Sequence, residues 1–146
     1  MKKESSELLL LDVNVLLSLA WPNHPFHATA TRHMERTTSR WATCALTQLG
    51  FIRLSSNPAA VNPVMTPAAA ALLLSQMVQD RAHVYIDTLP QPVKFASGFA
   101  RALGHQQVTD SYLLALARRH NAKLLTFDAR LRGRPETQVL MARSSQ

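Results

Sequence analysis

Three short apolar runs, each stopped by an aspartate, constrain this chain more than any other feature. They are Leu8–Leu11 before Asp12, His83–Ile86 before Asp87, and residues 123–127 before Asp128. Runs this short suit strands buried on both faces, as in parallel sheets. Between them lie segments that read as helices. Residues 13–21 are stopped by Pro22, and a second helix is expected over 23–38, with Pro25 in its first turn. Residues 41–44 read as strand, 47–55 as helix and 56–63 as loop. Thr66-Pro67 opens a helix expected to reach about Arg81, since the threonine caps and the proline lacks only an N–H that had no partner. A helix over 92–103 closed by Gly104, another over 108–120 and a last strand over 138–141 complete the pattern. Strands alternating with helices predict an α/β/α sandwich around a mostly parallel sheet, in one domain spanning residues 1–146 with its core at about 8–141.

Composition narrows the function classes. Apolar residues make up 47% of the 146, enough for one substantial core, and the single cysteine, Cys44, excludes a disulfide framework or a cysteine zinc cluster within the chain. Leu8–Leu11 is too short for a secretory core or a membrane span, so a soluble cytoplasmic protein is expected. The net charge of +7 is uneven. From Arg101 onward eight Lys or Arg face three acids, whereas the first hundred residues carry eight against six. A basic excess draws polyanions or acidic partners.

With only nine acids in the chain, their positions are informative. In open parallel sheets the ligand crevice lies beyond the carboxyl ends of the strands. Asp12 and Asp128 are expected to meet there, joined by Asp110 from a helix start. Clustered carboxylates repel, and a divalent cation removes that penalty. An oxygen-only donor set suits Mg²⁺ or Mn²⁺, which can activate water and neutralise charge on a phosphoryl group. Each aspartate also has a plainer reading as a helix N-cap.

The surrounding words decide between these readings. Leu11-Asp12-Val13-Asn14-Val15-Leu16-Leu17, Trp41-Ala42-Thr43-Cys44 through Thr47-Gln48-Leu49-Gly50-Phe51-Ile52-Arg53-Leu54, Val108-Thr109-Asp110-Ser111-Tyr112-Leu113-Leu114-Ala115 and Leu125-Thr126-Phe127-Asp128 follow in that order. The series resembles a PIN domain, and more narrowly the VapC toxins of type II toxin–antitoxin systems, over residues 8 to about 140. The resemblance implies a metal-dependent endoribonuclease, commonly a homodimer, that cleaves RNA and is restrained by a cognate antitoxin. It assigns the catalytic, metal-binding acids to Asp12, Asp110 and Asp128, and a supporting polar role to Asn14. Many PIN domains carry a glutamate where Gln48 stands; an amide oxygen there can accept from a metal-bound water or ligate weakly, so Gln48 is expected as an auxiliary catalytic ligand, with one negative charge lost.

Other residues rank lower. His24 and His27 have a metal-like spacing but no second pair. His105 reads as a loop residue and Asp87 as a cap near Thr88. Arg130 and Arg132, with Arg134, follow Asp128 closely and are candidates to hold the RNA backbone. Trp41, Phe51, Phe99, Tyr112 and Met77 read as core, and Arg53 as a brace or a partner contact. Two other function classes fit less well. One is a nonenzymatic RNA-binding or scaffold protein. The other is a phosphoacceptor domain, which needs adjacent early acids and a lysine after the last strand, both missing here.

Overall fold

The computed structural model describes residues 7–102 and 104–141. Five strands, β1 (Leu8–Leu11), β2 (Arg40–Cys44), β3 (His83–Ile86), β4 (Ala122–Thr126) and β5 (Thr137–Val139), form one sheet in the order β3-β2-β1-β4-β5. Every pairing is parallel, with Leu8 opposite Arg40 on one side of β1 and opposite Ala122 on the other. Helices α1 (Val13–Ala20), α2 (His27–Arg36), α3 (Ala45–Ser55), α4 (Pro67–Met77) and α5 (Val108–Arg119) connect them.

Strand alternation divides the core in two. Leu9 and Leu11 of β1, with Trp41 and Leu125, face Val15, Leu16, Phe51 and Leu74 from α1, α3 and α4. Leu10, Ala42, Cys44 and Leu124 face Leu113, Leu116 and Ala117 of α5 on the opposite side. Helices on both faces make the three-layer α/β/α sandwich expected from the pattern of runs. Trp41 and Tyr112 are buried and Phe51 wholly so, as expected of core residues; Met77 packs at the core's margin and Phe99 is half-buried. At Gly50 a Cβ would stand 2.6 Å from Cγ2 of Val13, so α3 crosses α1 too closely for a side chain there.

Several boundaries differ from expectation, each for a local reason. α2 begins at His27 rather than near Asn23, because Pro25 sits in the preceding turn, where the backbone N–H of Phe26 bonds Nδ1 of His24. α4 ends at Met77 rather than Arg81, because Asp80 turns its carboxylate onto the Ala82 N–H (2.9 Å) and Nε1 of Trp41 (3.1 Å). In place of a helix over 92–103, Pro92–Phe99 forms 3-10 turns broken at Phe95. Val93, Phe95 and Gly98 are weak helix formers, and the Phe95 ring leans on Tyr112 at 5.5 Å. Leu103, the expected end of that helix, lies outside the described residues. β4 stops at Thr126 because the Phe127 N–H leaves the ladder for Oδ1 of Asn14 (3.1 Å). The last strand is Thr137–Val139, earlier than expected, with the Leu140 N–H still donating to the Thr126 carbonyl just beyond it. Among the described residues no helix is long and apolar enough to cross a membrane.

Candidate active site

The strand order fixes where a site can form. From β1 the chain builds outward through β2 to β3, then returns to the other side of β1 as β4 and β5. The two directions part between β1 and β4, and their carboxyl ends leave a crevice. Asp12 directly follows β1, and Asp128 follows β4 by one residue. α5 enters the parallel strand β4, so its N-terminal turn, holding Asp110, lies at the same edge of the sheet. Asp87 follows β3, two strands away from β1, and accepts from the Thr88 hydroxyl.

Asp12 is only 8% exposed. Its Oδ1 accepts from the Val13 N–H at 2.8 Å, capping α1, and its Oδ2 accepts from the Thr126 hydroxyl at 2.8 Å. The same threonine Oγ1 accepts from Nδ2 of Asn14 (3.1 Å) and from the Asp128 N–H (3.0 Å). Asn14 and Thr126 thus lock the end of β4 to the start of α1, with Asp12 between them. Burial pushes the Asp12 carboxyl up, against the pull of its two donors, and repulsion from Asp128 adds to the rise.

Asp110 is pushed up to about 6, first by burial and then by the charges of Asp12 and Asp128, with Arg130 opposing. Asp128 is held below the ordinary range by Arg130. Nε of Arg130 bonds both carboxylate oxygens (3.0 and 3.2 Å), Nη2 bonds Oδ2 (2.8 Å), and the Arg130 N–H caps Oδ1 (3.0 Å). The three acids therefore repel one another across one crevice, and two of them also serve as caps. Among the described residues no three His, Cys, Asp or Glu side chains converge into a ready metal cage. The donor chemistry nonetheless suits a hard divalent ion: all carboxylate, partly desolvated, with one exposed guanidinium to offset three acids.

Gln48 lies in the first turn of α3, which directly follows β2. Its Nε2 donates to Oγ1 of Thr43 (3.0 Å), which shares a hydrogen bond with Nε2 of His83 (2.8 Å), and that ring tilts against Trp41. Among the described residues no hydrogen bond joins Gln48 to the three aspartates. The three arginines after Asp128 also part company. Arg130 turns back onto Asp128, Arg132 reaches Sδ of Met141, and Arg134 donates to the Arg101 carbonyl. His24 and His27 are tied up locally, His24 by the Phe26 N–H and His27 by the Ser18 carbonyl. His105 borders a small cavity beside Arg130.

Sequence reasoning gave no role to Thr126. Its signal was a hydroxyl closing the strand after two leucines, two residues before an aspartate. The missing piece was register: Leu11 pairs with Leu125, which sets Asp12 opposite Thr126.

Residues 9–136 match the PIN domain, so the chain belongs to the PIN-domain family. Its sequence is 42% identical over 124 residues to ribonuclease VapC39 of Mycobacterium tuberculosis, covering 84% of this chain and 89% of that one. It is 37% identical over 138 residues to ribonuclease VapC38 of the same organism, covering 90% and 96%. The crystal structure of M. tuberculosis VapC20, a toxin that cleaves the sarcin-ricin loop, shares the fold with a TM-score of 0.69 at 12% identity, covering 91% of this chain and 99% of that one. A toxin–antitoxin complex from Klebsiella pneumoniae gives 0.63 at 15% identity, covering 90% and 96%. Kinship with the VapC ribonucleases supports a nuclease or toxin role in general terms.

Proposed function

We propose that the chain is a metal-dependent endoribonuclease, the toxin of a toxin–antitoxin pair acting in the cytoplasm. What supports this reading is the mutual repulsion of Asp12, Asp110 and Asp128 at the carboxyl ends of β1 and β4, in a chain akin to the VapC ribonucleases. Asp12, Asp110 and Asp128 would hold Mg²⁺ or Mn²⁺. Such an ion, when bound, lowers the pKa of a coordinated water and offsets charge developing on the phosphoryl group.

The chain's own residues prepare that chemistry. Thr126 and the Val13 N–H fix both oxygens of Asp12, so the carboxylate needs no reorientation when it is used. Asn14 holds Thr126 in place. Arg130, exposed on Asp128, is placed to turn a guanidinium fork toward a phosphate in the crevice. Gln48, tied to Thr43, would act at most as an auxiliary polar ligand through its carbonyl oxygen, and Arg132, turned toward Met141, would touch only an RNA strand passing on that side.

A homodimer and a cognate antitoxin belong to the same proposal. Leu46 and Val108 are exposed beside a groove bordered by Leu89, Phe99 and Tyr112, an apolar surface suited to a second copy.

A nonenzymatic RNA-binding or scaffold role is the second reading, favoured by Gln48 in the place of an acid and by Arg130 on Asp128. Cleavage of RNA in Mn²⁺, compared between the native chain and Asp12→Asn, separates the two. Loss of cleavage in the variant supports the nuclease; no cleavage by either at high metal supports the scaffold.

A further inference from the structure

A cleft of about 520 Å³ opens between α5, the 3-10 turns of Pro92–Phe99 and the chain leading into β5. Four arginines border it: Arg101, Arg118, Arg119 and Arg134. Glu136 is the one acid among its lining residues and stands 3.9 Å from Arg118, leaving a clear excess of positive charge. Nη2 of Arg134 donates to the Arg101 carbonyl at 3.3 Å, which ties the two walls together.

The placement of the cleft matters as much as its charge. Ser111, Ala115, Arg118 and Arg119 line it from one face of α5, at the spacing of successive helical turns. Ser111 is the residue after Asp110, so one end of the cleft lies on the same first turn of α5 that carries that acid. It extends along the helix from Ser111 to Arg119, eight residues or about 12 Å at the α-helical rise. Positive charge repeated along a line suits a polymer with a charge at each step better than a lone anion. Guanidinium forks pair with phosphate oxygens in two-point fashion. Phe95 on the wall offers a ring against which a base can lie.

We infer that this cleft holds the phosphodiester backbone of single-stranded RNA to one side of the bond cut at the acids. The inference rests on the nuclease reading above and extends it to a path for the substrate. A protein partner suits the apolar groove at Leu46 and Val108, whereas the arginine cleft matches a regularly charged strand. Contacts of this kind position RNA without reading its bases.

Anisotropy of a dye-labelled single-stranded RNA dodecamer, titrated with the full chain in chelator across a series of salt concentrations, tests it. Arg101→Gln combined with Arg119→Gln, both exposed, should weaken binding about tenfold or more. It should also flatten the dependence of log affinity on log salt by about 0.7 for each arginine removed. Arg36→Gln on α2 should behave as the parent. Should the pair fail to fold by circular dichroism, Arg118→Gln alone should flatten the slope by a single step.

Unchanged affinity and slope would overturn the inference, as would an equal loss in Arg36→Gln, which marks diffuse charge. Loss of binding to a polyglutamate peptide, with RNA binding intact, would make the cleft a protein site and overturn it too. Failure of the nuclease reading looks different. It shows as cleavage in Mn²⁺ that is absent from the parent or untouched by Asp12→Asn, whatever the anisotropy reports.

Discussion

The Thr126 hydroxyl donates to Oδ2 of Asp12 at 2.8 Å, joining residues 114 positions apart in the sequence. The bond crosses from β4 to the end of β1 where the order of the strands reverses. It turns a buried carboxylate, which would otherwise lack a partner on that side, into an oriented one.

Thr126→Val keeps the shape of the side chain and removes that donor, together with the acceptor used by Asn14 and the Asp128 N–H. A hydrogen bond to a charged group contributes about 1.5–3 kcal/mol. Urea unfolding near neutral pH should show a loss of that order. Divalent metal affinity, read by calorimetry, should fall about 10–100-fold, the usual effect of removing a residue that orients a ligand. Parental affinity in the variant would show that Asp12 holds its pose without Thr126.

Asp110 gives the metal-free chain a characteristic pH dependence. Its folded-state value is raised to about 6 from an ordinary 3.8, so between those values the native chain binds more protons than the unfolded one. Stability in chelator should therefore decline as pH rises from about 4 to about 6 and level off above that. Asp12 is raised as well and contributes with the same sign; Asp128 is lowered and opposes it in more acidic solution. Denaturant midpoints from pH 4 to 8 measure the effect. Asp110→Asn should flatten the profile, and Mn²⁺ should restore stability at pH 7. A profile that rises through this window would contradict the repulsion among the three acids.

Arg130→Ala releases Asp128 from its guanidinium partner. On the proposed reading the carboxylate should then bind Mn²⁺ several-fold more tightly while RNA binding weakens, because the same guanidinium would serve Asp128 in the free chain and a phosphate in the complex. Calorimetry with metal alone, alongside anisotropy with RNA, reads both. Movement of the two affinities in the same direction would argue against this exchange.

Gln48→Glu tests how far the auxiliary residue reaches. If its end can turn into the crevice, the added charge tightens metal binding. Losing the Nε2 donor to Thr43 costs about 1 kcal/mol in unfolding experiments. Unchanged metal affinity would confine residue 48 to the Thr43–His83 network.

Gly50→Ala places a methyl 2.6 Å from Cγ2 of Val13, the residue after Asp12. Overpacking of this kind costs about 1–3 kcal/mol. A lowered thermal midpoint with a disproportionate loss of metal affinity is expected, since α1 must shift and carries Asp12 and Asn14 with it.

The sheet and its helices were largely legible because short apolar runs and punctuating prolines are local signals. Thr66-Pro67 opened α4 where it should, and the aspartates marked the strand ends. Boundaries went astray where a side chain reached across the fold. Asp80 cut α4 short to serve Trp41, and Asn14 drew Phe127 out of β4. The 3-10 turns at Pro92–Phe99 were hidden because weak helix formers carry no spacing that separates tight turns from a helix. In the candidate site, the acids could be named from the words around them. The Thr126 hub could not, because it depends on register between strands, and neither could the separate destinations of Arg130, Arg132 and Arg134.

The pairing of β1 with β4 sets when the candidate site can exist. Leu8–Leu11 is made well before its neighbour Ala122–Thr126 and the acid that follows it. A growing chain that has not yet reached residue 126 holds Asp12 with no Thr126 to orient it and no Asp128 across the crevice. Whatever this crevice does to its target, it can do only once β4 has been made and paired with β1, a built-in delay between translation and activity.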